Sequence, residues 1–173
     1  MTKDELTKLL LNNVDEFNAT NSGGLDLSEV DLVGAELKGV NFAGADLSGA
    51  DLSQASLIEV NFSDCDLTGA NFSRTNIEEC DFTRCILSGT DFSYATASYS
   101  NFSEADMTGC VFNEANLDKS DFSSSENLST CRFDDGTIWP DTENLPEDFD
   151  SNYVRDLSSL QDEEEAETGE FEY

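Results

Sequence analysis

A period of five residues governs the middle of the chain and limits its fold more than any other feature. A large apolar residue recurs at every fifth position through twenty consecutive repeats, from Leu27 to Phe122, and only Ala97 in this series is small. A small or β-branched residue stands two positions before each of them except Leu27, and Asp or Asn usually lies between the two. Five matches neither the period of an α-helix nor the alternation of a plain strand. We therefore predict a three-residue extended segment that ends in a turn.

The turns set the shape of each coil. Ser, Thr or Gly occupies at least one of the last two positions of most repeats, which is turn chemistry. From Phe62 onward Phe alternates with smaller residues, and like residues stack only if a coil has an even number of sides. Four sides give a 20-residue coil and one continuous column of Phe42, Phe62, Phe82, Phe102 and Phe122. The opposite wall then carries Phe72, Phe92 and Phe112. The prediction is an all-β solenoid, a quadrilateral β-helix of about five and a half coils.

The N-terminal end of such a solenoid exposes an unpaired edge that needs a cover. Thr2 and Glu5 form a capping-box pattern ahead of apolar residues at helical spacing. We therefore expect an N-terminal capping α-helix within residues 1–24.

The predicted domain boundaries in the C-terminal part of the chain follow from where the repeats end. Repeats occupy residues 25–139, with one extra residue near Ser123 to Glu126, where we expect a bulge. Trp139 is suited to plug the last coil, and residues 140–155 are expected to form a cap or lid. Residues 156–173 carry eight acids and no base and are predicted to be a disordered acidic tail.

The charge excludes several classes of function. The chain has 38 Asp and Glu against 8 Lys and Arg, a net charge of −30, and contains no His. This charge excludes direct nucleic-acid binding through phosphate neutralisation and argues against a basic membrane anchor. Without His, nucleophiles activated by His and imidazole metal sites are excluded. We expect no enzyme activity, no cofactor, no metal site and no catalytic residue.

The cysteines point to a reducing compartment. All five occupy the small inward position of their repeats: Cys65, Cys80, Cys85, Cys110 and Cys131. An odd number of Cys, without a signal peptide or an apolar span at membrane length, predicts reduced core thiols in a cytoplasmic protein. Cys65 and Cys85 stack on adjacent coils, at a spacing that would also permit a disulfide.

The repeat unit resembles the pentapeptide-repeat family, whose units follow an A(D/N)LXX pattern. Residues 45–49 read ADLSG and residues 50–54 read ADLSQ, and the resemblance covers residues 25–133. It implies a right-handed β-helix and a bacterial, for example cyanobacterial, cytoplasm. Members share a scaffold and differ in partners. Some act as acidic DNA mimics that bind a type II topoisomerase such as DNA gyrase.

Two surfaces hold the candidate interaction residues. One predicted wall carries a column of acids beside bare glycine corners: Asp26, Asp46, Asp66 and Asp106. Tyr94 and Tyr99 are predicted to occupy exposed corners beside Ala97. Arg74 lies one coil below Tyr94 in the same column, where stacking on its ring is the competing structural explanation.

The leading hypothesis is a non-catalytic scaffold that binds an unidentified protein partner through a flat solenoid wall, as a monomer or weak dimer. The alternative is a DNA mimic that binds a gyrase-type topoisomerase. A DNA mimic would be expected to concentrate its acids in two stripes, like the phosphates of the two DNA strands. Here the acids are spread almost evenly over the four predicted sides, which weakens this alternative. Adaptation of the composition to a high-salt cytoplasm is a third possibility.

Overall fold

Pairing between neighbouring coils organises the repeats in the computed structural model, which describes residues 1–150. From Asp26 to Asp106 the outward residue of each repeat bridges, in parallel, the residue twenty positions further on. Backbone N–H groups donate to carbonyls of the next coil, as from Phe62 N to Asp81 O at 2.7 Å. Because the chain turns once in every five residues, four walls close each coil.

Each wall is named by the buried apolar residues at its centre. Wall 1 is centred on Leu27, Leu47, Leu67, Leu87 and Met107. Wall 2 is centred on Leu32, Leu52, Phe72, Phe92 and Phe112. Wall 3 is centred on Leu37, Leu57, Ile77, Ala97 and Leu117. Wall 4 is centred on Phe42, Phe62, Phe82, Phe102 and Phe122.

Wall 3 contains the regular strands of the described chain. They are β1 (Glu36–Lys38), β2 (Ser56–Ile58), β3 (Asn76–Glu78) and β4 (Thr96–Ser98). They form one parallel sheet in the order β1-β2-β3-β4, with the wall 3 centres paired in register. On the other walls the pairing is limited to isolated bridges through the outward residue.

Phenylalanine rings stack along walls 2 and 4, as the alternation of Phe predicted. The ring centroid of Phe82 lies 4.8 Å from that of Phe62 and 4.7 Å from that of Phe102, with planes 12° and 3° apart. Across the core, Phe72 meets Phe82 edge to face at 5.8 Å. Aromatic pairs in these geometries stabilise a core by roughly 0.5–1.5 kcal/mol each beyond their burial.

All five cysteines are free and buried in this core. The Cys65 thiol donates to the carbonyl of Phe42 at 3.1 Å, and the Cys85 thiol donates to that of Phe62 at 2.9 Å. Thr and Ser hydroxyls at the same position donate to the equivalent carbonyls. Burial raises the pKa of the Cys65 thiol to about 12. The stacked pair is therefore two buried thiols that bond turn carbonyls, and it is not a disulfide.

Two helices precede the repeats, whereas the sequence pattern predicted one. They are α1 (Lys3–Asn12) and α2 (Val14–Thr20). Asn13 separates them because its backbone N–H bonds the carbonyl of Leu9 while its side-chain oxygen accepts the N–H of Glu16. The capping box of Thr2 and Glu5 is present at the start of α1.

Both helices contact the first coil. The ring of Phe17 in α2 meets Phe42 edge to face at 5.5 Å. The side-chain amide of Asn18 donates to the carbonyl of Gly39 at 2.9 Å and accepts from the N–H of Asn41 at 2.8 Å. The side chain of Asn18 thus bonds backbone groups at the edge of the first coil that another strand could otherwise pair with. These bonds protect the edge from pairing with another molecule.

The extra residue expected near Ser123 to Glu126 lies further along the chain, so the predicted position was wrong. Asp106 still bridges Glu126 at a separation of twenty, whereas Val111 bridges Arg132 at twenty-one. The insertion is therefore absorbed between Glu126 and Arg132, where a 3-10 helix spans Leu128–Thr130. The turn after Phe122 keeps its ordinary hydrogen bond, from Ser125 N to Phe122 O at 2.9 Å.

Trp139 packs at the C-terminal end of the core. Its ring contacts those of Phe112, Phe122, Phe133 and Phe149 at centroid distances of 5.7, 6.0, 5.3 and 4.8 Å. The predicted lid over 140–155 is described only to residue 150, and the predicted acidic tail over 156–173 lies outside the described residues. Among the helices within residues 1–150, none is long and apolar enough to cross a membrane.

Candidate functional site

The four predicted acids lie in a single column on the outer face of wall 1. Successive bridges join Asp26 to Asp46, Asp46 to Asp66, Asp66 to Ile86, and Ile86 to Asp106. Neighbouring members are one coil apart, or about 4.8 Å. We call these five residues the wall 1 column.

Each acid of the column is also part of the turn that follows it. The Oδ1 atoms of Asp26, Asp46, Asp66 and Asp106 accept the backbone N–H two residues later, at 3.1, 2.9, 2.9 and 3.0 Å. Such Asx turns satisfy an N–H group that the corner would otherwise leave unpaired. Asn61 does the same for Ser63 at 2.9 Å, so this bond requires an oxygen acceptor and not a charge.

Neighbouring side chains contact the two ends of the column. Lys3 of α1 places its Nζ 3.6 Å from Asp26 Oδ1. At the other end, Asn127 donates to Asp106 Oδ1 at 2.9 Å. The hydroxyl of Ser28 lowers the pKa of Asp26, and that of Thr108 lowers the pKa of Asp106.

The centre of the column carries acids without basic partners. Within residues 1–150, no Lys or Arg forms an ion pair with Asp46 or Asp66. At the corner between walls 4 and 1, by contrast, Arg84 binds Asp64 through two hydrogen bonds of 2.8 Å. The central acids of wall 1 therefore keep their charge available to an outside partner.

Ile86 is a member of this surface that the sequence reasoning missed. Its side chain is 46% exposed although it stands in a column of acids. The corner residues that follow Asp66 and Ile86, Gly69 and Gly89, have φ values of +66° and +70°, and a Cβ built on either would meet no atom within 4 Å. The signal was present in the sequence, because Ile86 occupies a repeat position that elsewhere usually holds Asp or Asn.

The tyrosines lie away from the wall 1 column, at the two corners that border wall 3. Tyr94 is 51% exposed and Tyr99 is 60% exposed, and both have positive φ. Arg74 lies over the Tyr94 ring at 4.6 Å from its centroid, as the competing structural explanation for Tyr94 requires. Lys119, which the sequence reasoning missed, lies 5.3 Å from the Tyr99 centroid. Each ring therefore already has an intramolecular cation against it.

Metal and acid-base chemistry have no assembled site in the described part of the chain. No group of three or more Cys, Asp or Glu side chains within residues 1–150 is arranged to hold a metal ion. The acids of the wall 1 column stand on an open, flat face, whereas acid-base catalysis needs a concave, water-excluding pocket. The arrangement is suited to contact with another macromolecule.

Comparison with known families identifies the class of protein. The sequence profile described as "Pentapeptide repeats" matches eight copies over residues 23–57, 45–84 and 85–123. The chain belongs to the pentapeptide-repeat family, whose members form right-handed quadrilateral β-helices. Curated protein sequences give no match.

Several solved structures align with parts of this chain. A pentapeptide repeat protein from the Arabidopsis thaliana thylakoid lumen is 29% identical over 54% of this chain and 69% of its own, with a TM-score of 0.37. Rfr23 from the cyanobacterium Cyanothece 51142 is 25% identical over 64% of each chain, with a TM-score of 0.32. QnrB1, a plasmid-mediated fluoroquinolone resistance protein, is 20% identical over 83% of this chain and 85% of its own, with a TM-score of 0.40. At these TM-scores none of the three supplies a function for this chain.

Proposed function

We propose that this chain is a non-catalytic interaction scaffold that binds a protein partner on wall 1. The single observation that supports it most is the pair Asp46 and Asp66, which carry charge on a flat wall without a basic partner in residues 1–150. The exposed Ile86 beside them supplies apolar contact area, and the bare glycine corners let a partner backbone approach closely.

The domain organisation we propose for this role has three working parts. Residues 1–24 cover the start of the solenoid, residues 25–139 form the binding walls, and the lid predicted over 140–155 closes the other end. The tyrosines at the borders of wall 3 are a second, weaker contact candidate, because Arg74 and Lys119 already lie against their rings.

Photo-crosslinking tests the surface directly. Ile86→p-benzoylphenylalanine places a reactive group at the centre of the wall 1 column, and Val111→p-benzoylphenylalanine places it at the equivalent outward position of wall 2. In lysate of the source organism, we expect a protein adduct from position 86 and not from position 111. Equal adducts from both positions, or none from position 86, would overturn the assignment of wall 1.

The charge contribution is tested with substitutions that keep the turns. Asp46→Asn with Asp66→Asn keeps both Oδ1 acceptors, whereas Arg at these positions would remove them. Asp51→Asn with Asp91→Asn is the matched control, because these wall 2 acids accept the same turn bond at 2.9 and 2.8 Å. The first pair should reduce the adduct at position 86 and the control pair should not.

The alternative function is an acidic mimic of DNA that binds a type II topoisomerase, and the net charge of −30 favours it. A supercoiling assay with purified DNA gyrase tests this reading. Inhibition that weakens as salt rises would support the mimic, because phosphate-like recognition depends on screened charge. Full supercoiling at a large molar excess of the chain would exclude it.

A further inference from the structure

Lys3 shows what chemistry the outer face of wall 1 accepts. Its ammonium group contacts Asp26 Oδ1 and donates to the hydroxyl and the carbonyl oxygen of Ser28. Lys3 is the first residue of α1. The first position of the wall 1 column is therefore occupied by a cation that a helix carries.

The same acceptors recur further along the column. Ser48 donates its hydroxyl to Asp46 Oδ1 at 2.6 Å, as Ser28 does to Asp26 at 2.7 Å. Thr108 donates its hydroxyl to Asp106 Oδ1 in the same way at 2.6 Å. Asp26, Asp46 and Asp106 thus each present a carboxylate with a hydroxyl bonded to it. At Asp46 and Asp66 no basic side chain from residues 1–150 fills this position.

The axial spacing of the column matches one face of an α-helix. From Asp46, the positions of Asp66, Ile86 and Asp106 lie about 5, 10 and 14 Å along the solenoid. Residues i+3, i+7 and i+10 of a helix lie about 4.5, 10.5 and 15 Å from residue i. These four helical positions also share one narrow stripe of the helix surface.

An extended partner segment does not fit this spacing. Its same-face residues are about 6.6 Å apart, which misses the position of Asp66 by about 2 Å and that of Ile86 by about 3 Å. A nucleic acid is excluded as the occupant because its phosphates and the carboxylates of the column would repel each other.

We propose that wall 1 binds an α-helix of its partner that carries Lys or Arg at positions i, i+3 and i+10 and an apolar residue at i+7. The basic residues contact Asp46, Asp66 and Asp106, and the apolar residue packs on Ile86. The reversed order, with the apolar residue at i+3, describes the same helix bound in the opposite direction. This inference rests on the proposed function and names the class of partner for the same surface.

Synthetic helix-stabilised peptides test the spacing. Two matched peptides carry Lys and Leu in the forward and reversed patterns, and their control has the same composition with all three Lys moved to the opposite side of the helix. Fluorescence anisotropy at low salt measures binding to the full chain. With three exposed ion pairs at roughly 0.5 kcal/mol each, we expect one matched peptide to bind about tenfold more tightly than the control.

The double variants connect this preference to wall 1. Asp46→Asn with Asp66→Asn should reduce the preference about fivefold, since two of the three pairs are lost. Asp51→Asn with Asp91→Asn should leave it unchanged. Equal affinity of matched and control peptides, no binding of either, or equal loss in both double variants would overturn the helix assignment.

The outcomes for the two proposals are distinguishable. A protein adduct at position 86 without any peptide preference would refute the helical partner and leave the scaffold function standing. A matched-peptide preference that depends on Asp46 and Asp66, without any protein adduct at position 86, would refute the scaffold function while the binding specificity of the face stands.

Discussion

Replacing Asp46 by Asn and by Ala separates the charge of the wall 1 column from its hydrogen bonds. Asn keeps an oxygen that accepts from the Ser48 N–H, now 2.9 Å away, and from the Ser48 hydroxyl at 2.6 Å. Ala removes both bonds. Both substitutions remove the same negative charge, so their difference reports the hydrogen bonds alone.

The magnitudes follow from the geometry of the column. Asp46 bridges Asp26 and Asp66, each one coil or about 4.8 Å away. In water the repulsion between Asp46 and either neighbouring carboxylate is about 0.9 kcal/mol, and physiological salt reduces it to about half. Because Lys3 already offsets part of the charge on Asp26, Asp46→Asn should stabilise the chain by about 0.5–1 kcal/mol. Loss of the turn bonds should cost Asp46→Ala about 1–2 kcal/mol relative to Asn.

Urea unfolding at low and physiological salt measures both effects by linear extrapolation. The advantage of Asp46→Asn over the wild type should shrink as salt rises, while the gap between Asn and Ala should stay constant. Asn61→Ala is the uncharged control, because it removes the bond from Ser63 at 2.9 Å and relieves no repulsion. If the Asn and Ala variants of Asp46 unfold at the same urea concentration, the hydrogen bonds from Ser48 to Asp46 do not stabilise the turn and this reasoning is wrong.

Three further predictions concern the core and pH. Phe82→Leu removes one ring and both of its stacking contacts and should lower the free energy of unfolding by about 1–2 kcal/mol in calorimetry. Burial raises the pKa of Cys65 to about 12 and that of Cys80 to about 11, so thiol reagents should label neither until urea unfolds the chain. Hydroxyl hydrogen bonds lower the pKa of Asp26 and Asp106, so their stabilisation is present above the usual Asp pKa and lost as pH falls through the lower folded value. Carboxyl NMR titration should place both below about 3.9, and values at or above it would contradict this reasoning.

The period of the sequence predicted those parts of the fold that repetition alone determines. A twenty-residue coil leaves one register in which Phe82 meets Phe62 and Phe102, and the rings stack there. The same rule brings Tyr99 to Lys119, twenty residues later, so this contact was available to the sequence reasoning and was overlooked.

Other features depend on choices that periodicity does not encode. An apolar spacing of six shows that one residue has been inserted, but several backbone conformations can absorb it, and here a 3-10 helix at Leu128–Thr130 does so. The break between α1 and α2 depends on Asn13, whose side chain begins one helix while its backbone ends the other. The turn bonds of the acids depend on side-chain rotamers, which the pattern of residue types leaves open.

Comparison of walls 1 and 4 indicates that the charge of the wall 1 column is not a requirement of the fold. The outward residues of wall 4 include Asn41, Asn61 and Asn101, and each accepts the same turn N–H as the acids of wall 1. Asn therefore satisfies the turn without repulsion between coils, which makes Asp the less stable choice in a stacked column. Solubility would account for the charge but not for Ile86, whose exposed apolar side chain interrupts the acids. Acids and an apolar residue together on one open face are instead what a binding surface needs, because charge steers a partner to the face and apolar contact holds it there.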